Sequence, residues 1–511
     1  MLTDPRLTRL DNTRVRVNNP YGIETTLFAD ERVPVESAAV TELVELLALQ
    51  DTVRQMAEAA PDSFDCDPGI VRVAITPDFH KARGIPVGTV LATRGFVVPQ
   101  AIGSDINCGM RLHTTSLRPD EIAGKVDELE TAFRSIYFEA GRNIPMTRQQ
   151  RYGMLTGGLE GLLNATPADL SEGLWPLVRE LGVGDQLDRV ERRGSLPAAR
   201  VFGLTDFLGE DDRLSRDGQI GSIGGGNHFV EIQRGEKVLD GPVAHAWGLK
   251  PGVVTIMVHT GSVGIGHHCG GYYRDVVRKI HPKTLKHPAN GVFVLPEGDR
   301  HREHADLFWD ALHNAANFAS ANRLFLAVMA VAGMRRVFGD RVGADLLYDA
   351  PHNFIWRAEV DGERVVLHRK GATPARGFEA MAGTPFEYHG EPVLVPGSMG
   401  ASSFVLVGRG NAESMASASH GAGRVLSRGQ AMRGFDDEFR AFMARFRVVT
   451  PTDLRRADLR QRPDILAKKL EEIKQEAPFA YKGIGPVVGT LTAAGIARPV
   501  AELTPLMTVK G

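Results

Sequence analysis

The chain is poor in cysteine: Cys66, Cys108 and Cys269 are the three in 511 residues. So sparse and odd a set excludes a disulfide framework and fits a reducing compartment. An excess of one charge is also missing. Lys and Arg total 60 against 62 Asp and Glu, a net charge of −2. Any basic footprint for nucleic acid must therefore be local. Long hydrophobic runs are absent as well. The longest, about Leu324 to Met334, falls short of the about 20 residues that span a bilayer, so no membrane partner is expected. The opening segment MLTDPRLTRLDNTRV has no apolar core behind its charges and is not expected to act as a secretory signal. A cytoplasmic protein is the expectation. Neither an internal repeat nor a Pro/Ser-rich linker divides the chain.

What is present is ordinary globular composition, 43% apolar and 24% charged, which excludes wholesale disorder and fibrous repeats. The length corresponds to one large domain or two to three ordinary ones, and a chain of this size needs no disulfide or metal merely to fold. Glycine is abundant, 56 residues, and it clusters beside His, Asn, Ser and Asp. Such clusters bring backbone close to ligands.

Residues 35–59 carry helical apolar spacing up to Pro61. IVRVAIT and GTVLATRGFVVP read as strands, the second ending at Pro99. Residues 120–195 read as mostly helical. From 219 to 266, β-type runs alternate with glycine turns. Residues 304–338 form the strongest helical stretch, with a break expected near Ala321-Asn322. β-type runs return over 351–410, and the C-terminal part reads as helical and basic. Strands and helices in blocks favour an α+β fold over a doubly wound sheet. A single interwoven domain is expected, because the chemistry-bearing motifs spread from position 105 to 482.

Those motifs are short and glycine-bounded. In Gly103-Ser-Asp105-Ile-Asn-Cys108-Gly109 one turn aims a carboxylate and a thiol at one point. Taken alone, this is a turn aspartate beside a core cysteine. Gly224-Gly-Gly-Asn227-His228-Phe229-Val230-Glu231 leaves backbone N–H groups open to an anion, but lacks the Lys-Ser/Thr of a P-loop. An apolar strand delivers His259 before a glycine turn; His352-Asn353 follow Asp349-Ala-Pro. The run Pro396-Gly397-Ser398-Met399-Gly400 precedes the hydroxyl of Ser403, and His420-Gly421-Ala422-Gly423-Arg424 sets small residues around an imidazole. Small neighbours leave room for a bulky anion, which Arg can grip bidentately. Together Asp105, Cys108, His228, His259 and His352 offer oxygen, sulfur and nitrogen donors for one or two transition metals, zinc or manganese alike. A thiolate could bridge two ions. That scheme leaves His420 free, and a neutral imidazole is a competent nucleophile toward phosphorus. The run around Arg455, Arg456, Arg460 and Arg462 is interleaved with Asp453, Asp458 and Asp464 and reads as a solvated helix face.

GSDINCGM, GGGNHFVEI, HTGSVGIG, PHN, HRKGAT, VLVPGSMGASSFVLVG, SHGAGRVLSR and EAPFAYK, in that order from about residue 70 to 485, resemble the RtcB family of RNA-splicing ligases. The resemblance implies one RtcB-type domain over 1–511, with its core at about 70–485. An N-terminal helical or extended segment would cover 1–60 and a helical insertion 120–195. Mixed β-sheets would form a central metal and nucleotide cleft with flanking helices. It implies joining of RNA 3′-phosphate or 2′,3′-cyclic phosphate ends to 5′-hydroxyl ends, with GTP and two manganese ions, in RNA repair or tRNA splicing. Asp105, Cys108 and His228 would hold one metal, and Cys108, His259 and His352 the other. His420 would become guanylylated. Asn227, His228, Phe229, Val230, Glu231, His352, Asn353, Pro396, Gly397, Ser398, Met399, Ser403, His420, Gly421, Ala422, Gly423 and Lys482 would surround GTP, with Glu231 and Lys482 reading the guanine. Asp78 matches an acidic position near the site. An archease-type activator is a partner the family often uses. The chain departs from the family at Val263, usually Arg, and at Asn107, usually Gly. Two other readings stay open: a metal-dependent cyclic-phosphate phosphoesterase that needs no nucleotide, and a non-catalytic RNA-binding paralogue.

Overall fold

A computed structural model describes residues 4–139 and 141–511; the Arg460 side chain lies outside the described residues. The fold is mixed α and β, with two large sheets and two small ones. The first large sheet runs Leu7–Arg9, Arg14–Val17, Thr25–Phe28, Gly69–Arg83, Ile85–Arg94, Glu363–Lys370, Asn353–Val360. Helices Ser37–Leu47 and Leu49–Ala59 bury Val40, Leu43, Leu46 and Val53 against it. The second runs Ala344–Pro351, Gly109–Thr115, Val254–Thr260, Phe229–Val238, Ala497–Val509, Ser403–Gly408, Pro392–Val395, with Arg447–Val449 pairing parallel to Ala497–Val509. Its central strands are buried on both faces, Val254–Thr260 throughout, and carry the buried polar residues Arg111, Glu231 and His259 among apolar ones.

The cover on one face is the helix Arg302–Phe338. It is one continuous 37-residue helix, with no break at Ala321-Asn322. The polar residues that suggest a break have partners outside the helix. Asn317 donates to the carbonyls of Leu155 (3.0 Å) and Leu196 (2.7 Å), and Asn322 pairs with Ser222. Buried amides are tolerated when so satisfied. Over the segment Asp299–Phe338 this is also the one described helix long and apolar enough to cross a membrane. Its most apolar window is 94% buried inside the protein, as in a core helix.

Two other expectations need correction. The β-type reading of 219–266 runs too far, since helix Val263–Ile280 begins inside it. The C-terminal part is not wholly helical, because it ends in the 13-residue strand Ala497–Val509 in the middle of the second sheet. Its ELTPLMTV alternates buried with half-buried positions, a period-2 signal obscured by two prolines.

Strand register assembles the site. Gly109 pairs with both Thr260 and Pro351, Met110 with His259, and Phe229 with His259. Cys108, His228, His259 and His352 therefore stand at one end of adjacent strands. His352 lies where the chain passes from Pro351 of one large sheet to Asn353 of the other. That crossing fits closely, since a Cβ at Gly109 would sit 2.5 Å from the Ala350 carbonyl oxygen.

Candidate metal and nucleotide site

Four donors surround the Cys108 sulfur. Cys108 Sγ lies 3.3 Å from His228 Nε2 and 3.2 Å from His259 Nε2. His228 Nε2 is 2.8 Å from Asp105 Oδ2, and His259 Nε2 is 3.2 Å from His352 Nε2. Two three-donor groups result, Asp105–Cys108–His228 and Cys108–His259–His352, each with ligand atoms within 4.8 Å of one another. The shared member is the thiol.

The arrangement is unsatisfied without a cation. Asp105 Oδ1 is buried and has no hydrogen-bond partner. The His259 and His352 Nε2 atoms aim at each other, where at most one can donate. Burial first, then neighbouring imidazoles, hold both rings well below the usual imidazole range, so both are neutral and available as ligands. Burial and the charge of Asp105 push the Cys108 thiol well above its usual range; a bound cation reverses that by stabilising the thiolate. An oxygen, a shared sulfur and three imidazoles fit a pair of transition ions.

His420 follows the short strand Ser417–Ser419, which pairs with Ala372–Pro374. Its ring centroid is 4.7 Å from that of His352. His420 Nδ1 is 2.5 Å from Asp78 Oδ2, and Asp78 also accepts from Thr76 Oγ1 at 2.5 Å. Burial opposes the Asp78 charge, but the His420 imidazole and Thr76 together hold the carboxyl below its ordinary range. With Nδ1 engaged, Nε2 is the nitrogen left for chemistry. The register of Gly69–Arg83 is irregular between Ile75 and His80, which turns Asp78 inward. Gly423, at φ +76°, lies directly on the Asp78 backbone, leaving no room for a Cβ.

The cavity, about 240 Å³, is lined by Asp105, Cys108, Asn227, Phe229, His259, His352, Asn353, Pro396 to Met399 and His420 to Arg424. A second cavity of about 800 Å³ opens on the other side of Asp105 and His228. Asn227, Arg428, Glu476 and Lys510 line both.

Of the expected nucleotide set, His228 lines the second cavity alone, and four residues line neither. Val230 is core. Ser403 Oγ accepts from Gly397 N (3.2 Å) and Gln233 Nε2 (3.0 Å), bracing the Pro396–Met399 turn. Lys482 Nζ donates to the carbonyls of Pro77 (3.3 Å) and Phe79 (2.6 Å), gripping the backbone on either side of Asp78. Glu231 is buried, bonded to Thr508 Oγ1 and to Gln233 Nε2 (2.8 Å). The sequence reading missed Thr508 and Lys510, which line the cavity. Both lie on or next to the unrecognised final strand. His267 Nε2 contacts Ser104 Oγ at 3.2 Å and lines the second cavity with Val263.

Of the two departures, Asn107 has a local explanation and Val263 has none. Asn107 has φ +58°, a left-handed conformation that glycine or asparagine adopts readily, and its side chain accepts from Arg323. Val263 opens its helix at φ +40°, which is strained for a β-branched residue.

Burial raises the Glu231 carboxyl to about 7 against hydrogen bonds from Thr508 and Gln233 and the charge of Lys510. The folded protein therefore binds this proton more tightly than the unfolded chain. The associated stability is present below the ordinary value of 4.5 and is lost as pH rises to about 7. The span corresponds to about 3 kcal/mol. Glu231→Gln removes this slope, so urea unfolding at pH 8 should show the variant gaining stability relative to wild type, with little difference at pH 4.5.

The family model described as tRNA-splicing ligase RtcB matches residues 62–511. A tRNA-splicing ligase RtcB of Thermococcus kodakarensis is 33% identical, covering 94% of this chain and 95% of the relative. One from Pyrobaculum aerophilum is 32% identical over the same shares. An RNA-splicing ligase RtcB of Mycobacterium tuberculosis is 34% identical, covering 87% of this chain and 98% of the relative. With its motifs gathered around one sulfur-centred ligand cluster, this chain belongs to the RtcB family.

Proposed function

We propose that this protein is a GTP-dependent RNA ligase. It joins a 3′-phosphate end to a 5′-hydroxyl end through a guanylylated His420, in tRNA splicing or RNA repair. The observation that carries the reading is the placement of His420, oriented by Asp78, across one cavity from two donor groups that share Cys108. Asp105, Cys108 and His228 would hold one manganese ion, and Cys108, His259 and His352 a second. When bound, such cations act as Lewis acids and neutralise charge on phosphate oxygens.

Asp78 accepts a hydrogen bond from the Nδ1–H of His420 and so keeps the Nε2 lone pair directed outward. That nitrogen attacks the α-phosphorus of GTP; a P–N bond forms, the P–O bond to pyrophosphate breaks, and pyrophosphate leaves. An oxygen of the RNA 3′-phosphate then attacks the same phosphorus, and the P–N bond returns its electron pair to Nε2. The RNA end now carries GMP as a leaving group. The 5′-hydroxyl attacks the 3′-phosphate phosphorus, loses its proton and expels GMP. A 2′,3′-cyclic phosphate end enters after one hydrolytic opening. Positioning and preorganised charge supply most of the rate in such transfers. Lys510 and Thr508, with Glu231 behind, give the cavity polar groups that guanine would satisfy and adenine would leave unpaired. In place of an arginine at position 263, Arg428 presents a half-exposed guanidinium to both cavities, suited to the RNA phosphate.

Two RNA oligonucleotides, one ending in 3′-phosphate and one beginning with 5′-hydroxyl, test the reading. Joined product should require both GTP and Mn²⁺, and ATP should not substitute. Opening of a cyclic phosphate without GTP and without any joining would overturn the ligase and favour the phosphoesterase. Salt-sensitive RNA binding with no reaction would favour the non-catalytic paralogue. Asp78→Asn removes the charge that steadies the imidazolium-like transition state. It should slow single-turnover guanylylation by about 10²–10⁴-fold, by analogy with other Asp–His pairs, with little change in GTP affinity.

A further inference from the structure

Arg323 lies in the middle of the long helix Arg302–Phe338, 1% exposed, immediately before the apolar run Leu324–Val331. Burying a guanidinium is costly unless every donor is used, and here the donors fan out to three chain segments. Nη1 donates to the Asn107 carbonyl at 2.6 Å and Nη2 to Asn107 Oδ1 at 2.9 Å. Nη1 also reaches the Thr260 carbonyl at 3.3 Å, and Nε meets Asp349 Oδ1 at 2.9 Å. Asn107 immediately precedes Cys108, Thr260 immediately follows His259, and Asp349 stands three residues before His352.

We propose that Arg323 is a positioning residue for the Cys108–His259–His352 group: one guanidinium sets the relative placement of the three segments that carry its ligands. The inference rests on the reading that this group holds a cation. Its neighbour Asn322 performs the matching task for the first group. Asn322 pairs with the Ser222 backbone (2.9 and 3.1 Å) and donates to the Gly261 carbonyl (3.2 Å). The adjoining Ile223 carbonyl contacts His228 Nδ1 at 3.1 Å. The Asn-Arg pair thus interrupts an apolar helix because the ligand segments are bound to it. Arg323 touches no ligand atom, so its effect is on geometry. The fork matters more than the charge, because a lysine supplies one point of attachment where the guanidinium supplies three.

Cobalt(II) titration of the full chain tests this. Thiolate-to-cobalt absorption reports Cys108 ligation, and equilibrium dialysis counts the ions. Wild type should bind two equivalents. Arg323→Lys should keep the first and weaken the second by about 10- to 100-fold, the scale for loss of an outer-sphere support. Arg111→Lys is the matched control. Arg111 is equally buried and shares Asp349 at 3.0 Å, but its side chain makes no bond to the Asn107 or Thr260 segments among the described residues; it should keep both equivalents. If Arg323→Lys does not fold, Asn107→Gly carries the test, since glycine accepts the same φ while losing the Nη2 contact. A several-fold weakening of the second equivalent alone is expected. Wild-type affinities in Arg323→Lys (or in Asn107→Gly if that variant carries the test), or loss of the same equivalent in Arg111→Lys, would overturn the proposal. Failure of wild type to bind cobalt at all would instead overturn the reading of the ligand groups.

Discussion

Replacing His420 with alanine is expected to abolish the covalent GMP adduct and to lower RNA joining by about 10⁴-fold or more, the scale for removing a nucleophile that acts as a unit with its partner. The variant loses the imidazole that the buried Asp78 carboxylate holds beside the donor cluster. Stability should fall as well, because the buried Asp78 carboxylate loses the imidazole and keeps Thr76 as its described side-chain partner, so the variant is first shown to be folded by circular dichroism. The check pairs two assays on the same preparation. Radiolabelled GTP reports the adduct, and preformed guanylylated RNA reports the final joining step. Joining of the preformed species by His420→Ala, with no adduct, isolates the lost step. An adduct of wild-type yield in the variant would exclude His420 as the nucleophile.

The second large effect is at Cys108. In Cys108→Ala the two groups fall to Asp105 with His228 and to His259 with His352, two protein donors each. Catalytic metal sites ordinarily keep three. Affinity for both ions should fall together by at least about 100-fold, and guanylylation should fall with it. Cys269→Ala, also at a buried cysteine, should retain both. Loss of only one ion in Cys108→Ala would mean the sulfur serves a single group. The simultaneous loss is what distinguishes a shared donor from an ordinary ligand.

The ligand residues are legible in the sequence because glycine marks them. Gly109 and Gly261 stand where the backbone passes against Pro351, Asp105 and Cys108 with no room for a side chain, and such glycines punctuate the motifs. Strands Gly69–Arg83 and Val254–Thr260 are legible from continuous β-branched and apolar runs. Less legible is whatever depends on partners distant in sequence. The Ala321-Asn322 position looks like a helix break until the partners of Asn322 at Ser222 and Gly261, and of Arg323 at Asn107, Thr260 and Asp349, are known. Lys482 and Lys510 are equivalent by residue type. Only the fold places the first against the carbonyls flanking Asp78 and the second at the cavity wall. The strand Ala497–Val509 is hidden by Pro499 and Pro505, which its register accommodates with shifts in the pairing with Ser403–Gly408 beside Pro499 and with Phe229–Val238 beside Pro505. Thr508 and Lys510 are hidden with it, because only the strand's place in the sheet brings them to the cavity.

The proposed chemistry needs two cations held on one sulfur, opposite an activated imidazole. Anomalous scattering from a crystal of this protein grown with manganese measures that arrangement directly. Two peaks are expected, one among Asp105, Cys108 and His228 and one among Cys108, His259 and His352, both within bonding distance of Cys108 Sγ. A single peak away from Cys108, or none in the cavity that His420 faces, would contradict it.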